Sequence, residues 1–137
     1  MPTSRKTGNR HVRTRHDHAT ELAEDYVEAI DEIEREKGQC RVTDLARHFS
    51  VTHVTVNRTV SRLQRDGLVD TQPYAPVTLT RTGRRLAETS RKRHEVVLEF
   101  LLALGVSEEA ARIDAEGIEH HVSEETLRVM KQFSGNR

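Results

Sequence analysis

The octapeptide DAEGIEHH, residues 114–121, gathers three acids and two histidines. Glu116, Glu119 and His120 follow i, i+3, i+4 spacing. On a helix they span an arc of about 100°, so all three side chains can converge on one point. Two carboxylates and an imidazole on such an arc suit a hard or borderline divalent cation and leave coordination positions open. A solvated helix could carry the same residues without purpose. The reading therefore depends on further ligands elsewhere, and on something for a metal to control.

Asp25 and Glu28 repeat the i, i+3 relation, and His94 stands alone beside Arg93. Taken singly, the two acids also read as solvated helix charges, and His94 as a surface or phosphate-facing side chain. Gathered with Glu116, Glu119 and His120, they offer four carboxylates and two imidazoles, a charge that two divalent cations would cancel. The absence of sulfur favours Mn(II) or Fe(II), although affinity order alone leaves zinc and other borderline ions open. His121 lies about 100° from His120 on a helix and reads as a packing or partner-facing residue. Enzyme templates fit poorly. His94-Glu95 is not followed by the second histidine of H-E-x-x-H, and Gly117 stands where a paired di-iron site needs glutamate. No activated nucleophile or phosphate loop is evident, so the expectation is a non-enzyme.

The elements that would position these residues are mostly helical. Asp17 to Lys37 reads as a helix with the stripe Leu22, Tyr26, Ala29, Ile30 and Ile33, stopped by Gly38. RVTDLARHFSVTHVTVNRTVSRLQRDGLV reads as two helices joined by a tight turn. Thr43 is expected to cap the first, and Thr52 the second, whose inward face is Val56, Val60 and Leu63. Leu68–Thr71 and Val77–Leu79 flank Gln-Pro-Tyr-Ala-Pro as a hairpin. Thr80 opens a long helix reaching Leu104, Ser107 starts the helix carrying the octapeptide, and Ser123 starts a last one faced by Leu127, Met130 and Phe133.

Helix, turn, helix, hairpin is the order of a winged helix-turn-helix. With its apolar face committed, the second helix presents Thr52, His53, Thr55, Asn57, Arg58, Ser61 and Arg62 elsewhere. Asn57 suits adenine, and Arg58 suits guanine or a phosphate. Arg81, Arg84 and Arg85, with Arg62 and Arg65, suit the phosphate backbone of double-stranded DNA. The formal charge of +0 conceals a segregation that supports this reading. Residues 1–20 carry a net +4, 21–40 carry −6, 41–94 carry +7 and 95–137 carry −5. A basic middle between acidic flanks places a polyanion-binding unit beside cation-binding segments.

These readings divide the chain into a disordered basic tail over 1–19, a winged helix-turn-helix over 20–83, and a helical metal-binding and dimerisation domain over 84–137. A chain with 34% hydrophobic residues gains by burying more surface in a homodimer. The apolar run Val96–Val106 is too short to span a bilayer, which needs about 20 residues. The N-terminus lacks an apolar signal core, and Cys40 is the single cysteine. The expectation is a cytoplasmic protein with no membrane partner.

The stretches EDYVEAIDEIEREKG, the helix-turn-helix segment quoted above, LTRTGRRLAETSRKRHEVVLEFLLALGV and DAEGIEHHVSEETL resemble the diphtheria toxin repressor family, in its manganese-transport repressor branch. The resemblance covers roughly residues 20 to 133 and is most specific at EGIEHHVSEET. It implies a dimeric winged-helix repressor that binds operator DNA when loaded with divalent metal. Its ligands would be Asp25, Glu28, His94, Glu116, Glu119 and His120. Iron-responsive relatives have a methionine in place of Asp25 and a cysteine in place of Glu116, so the carboxylates here imply Mn(II), two ions per chain, with Fe(II) or other divalent metals as alternatives. Longer relatives add a C-terminal SH3-like domain, for which 137 residues leave no room. The expected function is manganese-responsive repression of metal-uptake genes. The alternative is a winged-helix regulator that responds to Fe(II) or to a non-metal ligand.

Overall fold

The computed structural model describes the backbone of residues 3–135 and the side chains of residues 19–135. It forms two compact units, Met1–Ala87 and Glu88–Arg137. The first holds α1 (Thr3–Lys37), α2 (Val42–Phe49), α3 (His53–Arg65), a hairpin of β1 (Val69–Asp70) and β2 (Thr78–Leu79), and the start of α4 (Arg81–Leu104). The second holds the rest of α4, α5 (Glu108–Ile118) and α6 (Glu124–Gly135). The architecture is mainly α with one small antiparallel hairpin, in the order expected of a winged helix-turn-helix followed by helices.

Helix α1 runs back to Thr3, well before the first apolar-periodic residue, where the sequence predicts an aperiodic tail. Extending a nucleated helix adds a hydrogen bond for each residue fixed, so propagation does not need the apolar stripe that nucleation does. The side chains of residues 1–18, including the tail's three histidines, lie outside the described residues.

Unit 1 closes around one apolar cluster. Tyr26, Ala29, Ile30 and Ile33 of α1 meet Leu45 and Ala46 of α2, Val56, Val60 and Leu63 of α3, and Val69 and Val77 of the hairpin region. The predicted stripe holds except at Leu22, which is exposed. Tyr26 stacks on Phe49 with ring centroids 4.4 Å apart. Local signals end the helices as read. Gly38 and Gly67 adopt positive φ, and the Thr52 hydroxyl accepts the Thr55 N–H (3.2 Å) to cap α3. The cap of α2 differs from the expected Thr43. Arg41 is the N-cap, and its N–H donates to Asp44 Oδ2 (2.9 Å). That bond, reinforced by Lys37, holds the Asp44 carboxyl below its ordinary range.

The hairpin pairs Val69 with Leu79 and Asp70 with Thr78, and Cys40 adds an isolated bridge to Val77. Its far side anchors α4. The Thr80 N–H donates to the Leu68 carbonyl (3.0 Å), the Thr80 hydroxyl donates to the Gly67 carbonyl (2.6 Å), and the Gly83 N–H caps back onto Thr80 Oγ1 (3.1 Å). Gly83 sits directly over this junction. A Cβ there would lie 2.0 Å from the Leu68 carbonyl oxygen, so only glycine admits the approach.

Unit 2 has its own small cluster of Val97, Ala115 and Leu127, flanked by Leu101, Ile118 and Met130. Phe133 of α6 is half exposed and meets Phe100 edge-on at 5.5 Å. Gly105 ends α4 at positive φ, and the hydroxyls of Ser107 and Ser123 accept the N–H groups of Ala110 (3.3 Å) and Thr126 (3.1 Å) as caps. Among the described residues, no helix is long and apolar enough to cross a membrane.

Gly83→Ala is expected to destabilise the protein by about 1–3 kcal/mol, because the methyl meets backbone that cannot swing away. Thermal melting of the two proteins side by side measures the difference.

Candidate metal centre and nucleic-acid interface

In unit 2 the buried Ala111 and Ala115 hold one face of α5 inward, which places the residues after it. The helix ends at Ile118, earlier than the spacing argument assumes. Glu119 keeps αR geometry as C-cap, its N–H still reaching Ala115 O (3.0 Å). The next turn tightens, with the His121 N–H on Ile118 O (3.0 Å). Gly117 weakens the helix near its end, and Ser123 must begin another three residues after His120, so the chain turns between them. Glu116 therefore lies exposed on α5, whereas Glu119 and His120 occupy the turn that follows.

That turn gathers three of the candidate ligands. Glu119 is only 2% exposed. Its Oε2 lies 3.6 Å from His94 Nδ1 on α4, and its Oε1 lies 3.6 Å from His120 Nε2. A carboxylate withdrawn from water is costly unless positive charge answers it. Both separations are long for hydrogen bonds and fall within ion-pair range. Two imidazoles and one carboxylate fit a Mn(II) or Fe(II) donor set. The chain's thiol is elsewhere: Cys40 is buried in unit 1, where burial and the charges of Asp44 and Glu34 push its pKa up to about 12. It is not a ready thiolate ligand.

The structure thus brings together His94, Glu119 and His120. Asp25 and Glu28 belong to unit 1, where both are partly buried on α1. Glu24, immediately before Asp25, is almost fully buried, which the sequence reading passed over. His121 is exposed, with its ring 6.4 Å from that of His120.

Helix α3 separates its faces as its periodicity dictates. Val56, Thr59, Val60 and Leu63 are buried. His53, Thr55, Asn57, Arg58, Ser61 and Arg62 are exposed, as is the N-cap Thr52. The hydroxyls of Thr52 and Thr55 lie 3.0 Å apart and share the capping contact, so both are partly committed to the helix end. Val54 was missed. It is 65% exposed among polar neighbours, and its position off the Val56–Val60–Leu63 face was the available signal. Tyr74, at the hairpin turn with φ 65, is fully exposed, and Arg41 Nη1 donates to its carbonyl (3.2 Å).

The predicted phosphate contacts separate. Arg81 and Arg85 are exposed at the start of α4. Arg84 is engaged within unit 1, its Nη1 on Asp31 Oδ1 (3.1 Å) and its Nη2 on Glu34 Oε2 (3.4 Å). Asp31, buried, also takes Arg35 at 3.0 Å. The reading of Arg84 as a phosphate contact overlooked acids one turn apart on another helix.

A helix-turn-helix with a wing, followed by a helical unit holding a carboxylate between two imidazoles, defines a DNA-binding protein with a metal-binding domain. Residues 18–77 match the iron dependent repressor N-terminal DNA binding domain, and residues 80–137 match the iron dependent repressor metal binding and dimerisation domain. The chain is 49% identical over 117 residues to the transcriptional regulator MntR of Escherichia coli O157:H7, covering 85% of this chain and 76% of that protein. It is 40% identical over 104 residues to the HTH-type transcriptional regulator MntR of Geobacillus kaustophilus, covering 76% and 74%. A solved manganese-dependent transcriptional repressor in complex with manganese superposes with a TM-score of 0.74 at 29% identity, over 84% of this chain and 53% of that one. The chain thus spans about half the length of that structure. It belongs to the iron-dependent (diphtheria toxin) repressor family, in the branch of the MntR regulators.

Asp31→Ala is expected to cost about 1.5–3 kcal/mol, the range for a charge-assisted hydrogen bond. The lower part of that range applies, since the Arg84 guanidinium is half exposed and screened by water. Urea denaturation of the two proteins reads the loss.

Proposed function

We propose that this protein is a manganese-responsive transcriptional repressor that binds operator DNA as a homodimer and controls metal-uptake genes. The observation that carries the reading is Glu119, buried between His94 and His120, in a chain whose first unit is a winged helix-turn-helix. The proposed ligands are Asp25, Glu28, His94, Glu116, Glu119 and His120, for two ions per chain. Bound Mn(II) would supply the positive charge that these carboxylates require. Without it, like charges on α1 and around the end of α5 disfavour any arrangement that gathers them. If that gathering sets the spacing of two recognition helices at about 34 Å or a multiple, the competent fraction controls operator affinity. Raising that fraction from about 1% to near unity is worth roughly 2.7 kcal/mol. Linkage is reciprocal, so operator DNA tightens metal binding equally.

On DNA, Asn57 and Arg58 are the proposed base-reading residues, with Val54 against a thymine methyl. Thr52, His53, Thr55, Ser61 and Arg62 line the same face, and Arg81 serves phosphates. Arg84 would contribute only by giving up its acidic partners. A response to Fe(II) uses the same donors.

Fluorescence anisotropy on promoter DNA of a metal-uptake gene, against a series of divalent metals at fixed salt, tests the whole. Glu119→Ala or His120→Ala should abolish the metal-stimulated rise in affinity while circular dichroism stays native. A full Mn(II) response in either variant contradicts the assignment. Arg58→Ala should weaken operator binding by about 1–3 kcal/mol and leave metal titrations of the free protein unchanged. DNA binding indifferent to both EDTA and Mn(II) points to an organic effector instead.

A further inference from the structure

Residues 88–137 carry ten acids and seven Lys/Arg, yet four of those seven cations line one groove between α4 and α6. They are Lys92 and Arg93 from α4, and Arg128 and Lys131 from α6. The groove encloses about 350 Å³, with Val96 and the buried Leu127 among its walls and Thr89 adding a hydroxyl. The spacings are matched: Lys92, Arg93, Val96 on one helix and Leu127, Arg128, Lys131 on the other each follow i, i+1, i+4. Each helix thereby turns two cations and one apolar residue to the same space.

One of the four is answered. Arg93 Nη2 lies 3.2 Å from Glu124 Oε1, itself at the groove's edge. Among the described residues, Lys92, Arg128 and Lys131 have no carboxylate within ion-pair distance. In a unit with a surplus of acids, unpaired cations around a concavity concentrate a positive potential that a bound anion would relieve. A concave space of this volume suits a small molecule, whereas a duplex needs a protruding element.

We propose that this groove binds a small multivalent phosphate anion, of pyrophosphate or nucleotide size, independently of the metal site and of the DNA-binding face. The inference stands apart from the manganese reading, because it can be read with no divalent metal present.

The test is a ¹H–¹⁵N NMR titration of the full chain, metal-free, with sodium pyrophosphate at constant ionic strength and with inorganic phosphate as the lower-charge comparison. Saturable shifts are expected over residues 89–96 and 124–131, with pyrophosphate binding more tightly than phosphate. The double variant Arg128→Gln/Lys131→Gln avoids the neighbourhood of His94 and should weaken pyrophosphate binding at least tenfold, with an unchanged thermal melt. Shifts spread equally over α3 and Arg81 would mean general charge attraction and overturn the proposal. So would an absence of saturation, or undiminished binding by the double variant. Displacement of pyrophosphate from the groove by a short DNA duplex would reassign the cations to the DNA backbone and also overturn it.

Discussion

A carboxylate removed from water must meet positive charge, and much of unit 2 follows from that demand. Glu119 is buried at the end of α5, whose Ala115 belongs to the small apolar cluster. The groups beside it are imidazoles, whose lone pairs accept a metal as readily as a proton.

Unit 1 solves the opposite problem of keeping a face available. Its core draws on one side of α3, and the caps at Thr52 and Gly67 set where that helix starts and stops. Everything else on α3 stays in solvent, including the unusual Val54. The wing is anchored at its base by the Cys40–Val77 bridge and at its turn by Arg41. Because α4 starts on the Leu68 carbonyl through Thr80 and Gly83, its first turn is tied to the hairpin. The helix that later carries His94 therefore begins in hydrogen-bonded contact with the hairpin.

Several elements were legible before any coordinates. The stops at Gly38, Gly67 and Gly105 and the caps at Thr52, Ser107 and Ser123 were readable because each depends on one residue and its immediate neighbours. The inward face of α3 was readable because three apolar residues recur at helical spacing. Among the candidate ligands, the carboxylate and imidazole types in DAEGIEHH pointed to a hard or borderline divalent cation and left zinc open.

Other features needed the fold. Thr43 lost the α2 cap to Arg41 because Asp44 reached back to that N–H, a competition with no distinct sequence signal. Arg84 turned from a presumed phosphate contact into the partner of Asp31 and Glu34, which lie about fifty residues earlier in the chain. Gly83 gave no hint of its role, since only the approach of a distant carbonyl makes a methyl impossible there. The single helix imagined for Glu116, Glu119 and His120 broke at Ile118, exposing the first and burying the second. Sequence determined the chemical vocabulary and the helix boundaries, because side-chain type and short-range capping are local properties. Tertiary structure decided which charges lose their water and which meet a partner, because desolvation and pairing depend on what folds over a residue from far along the chain.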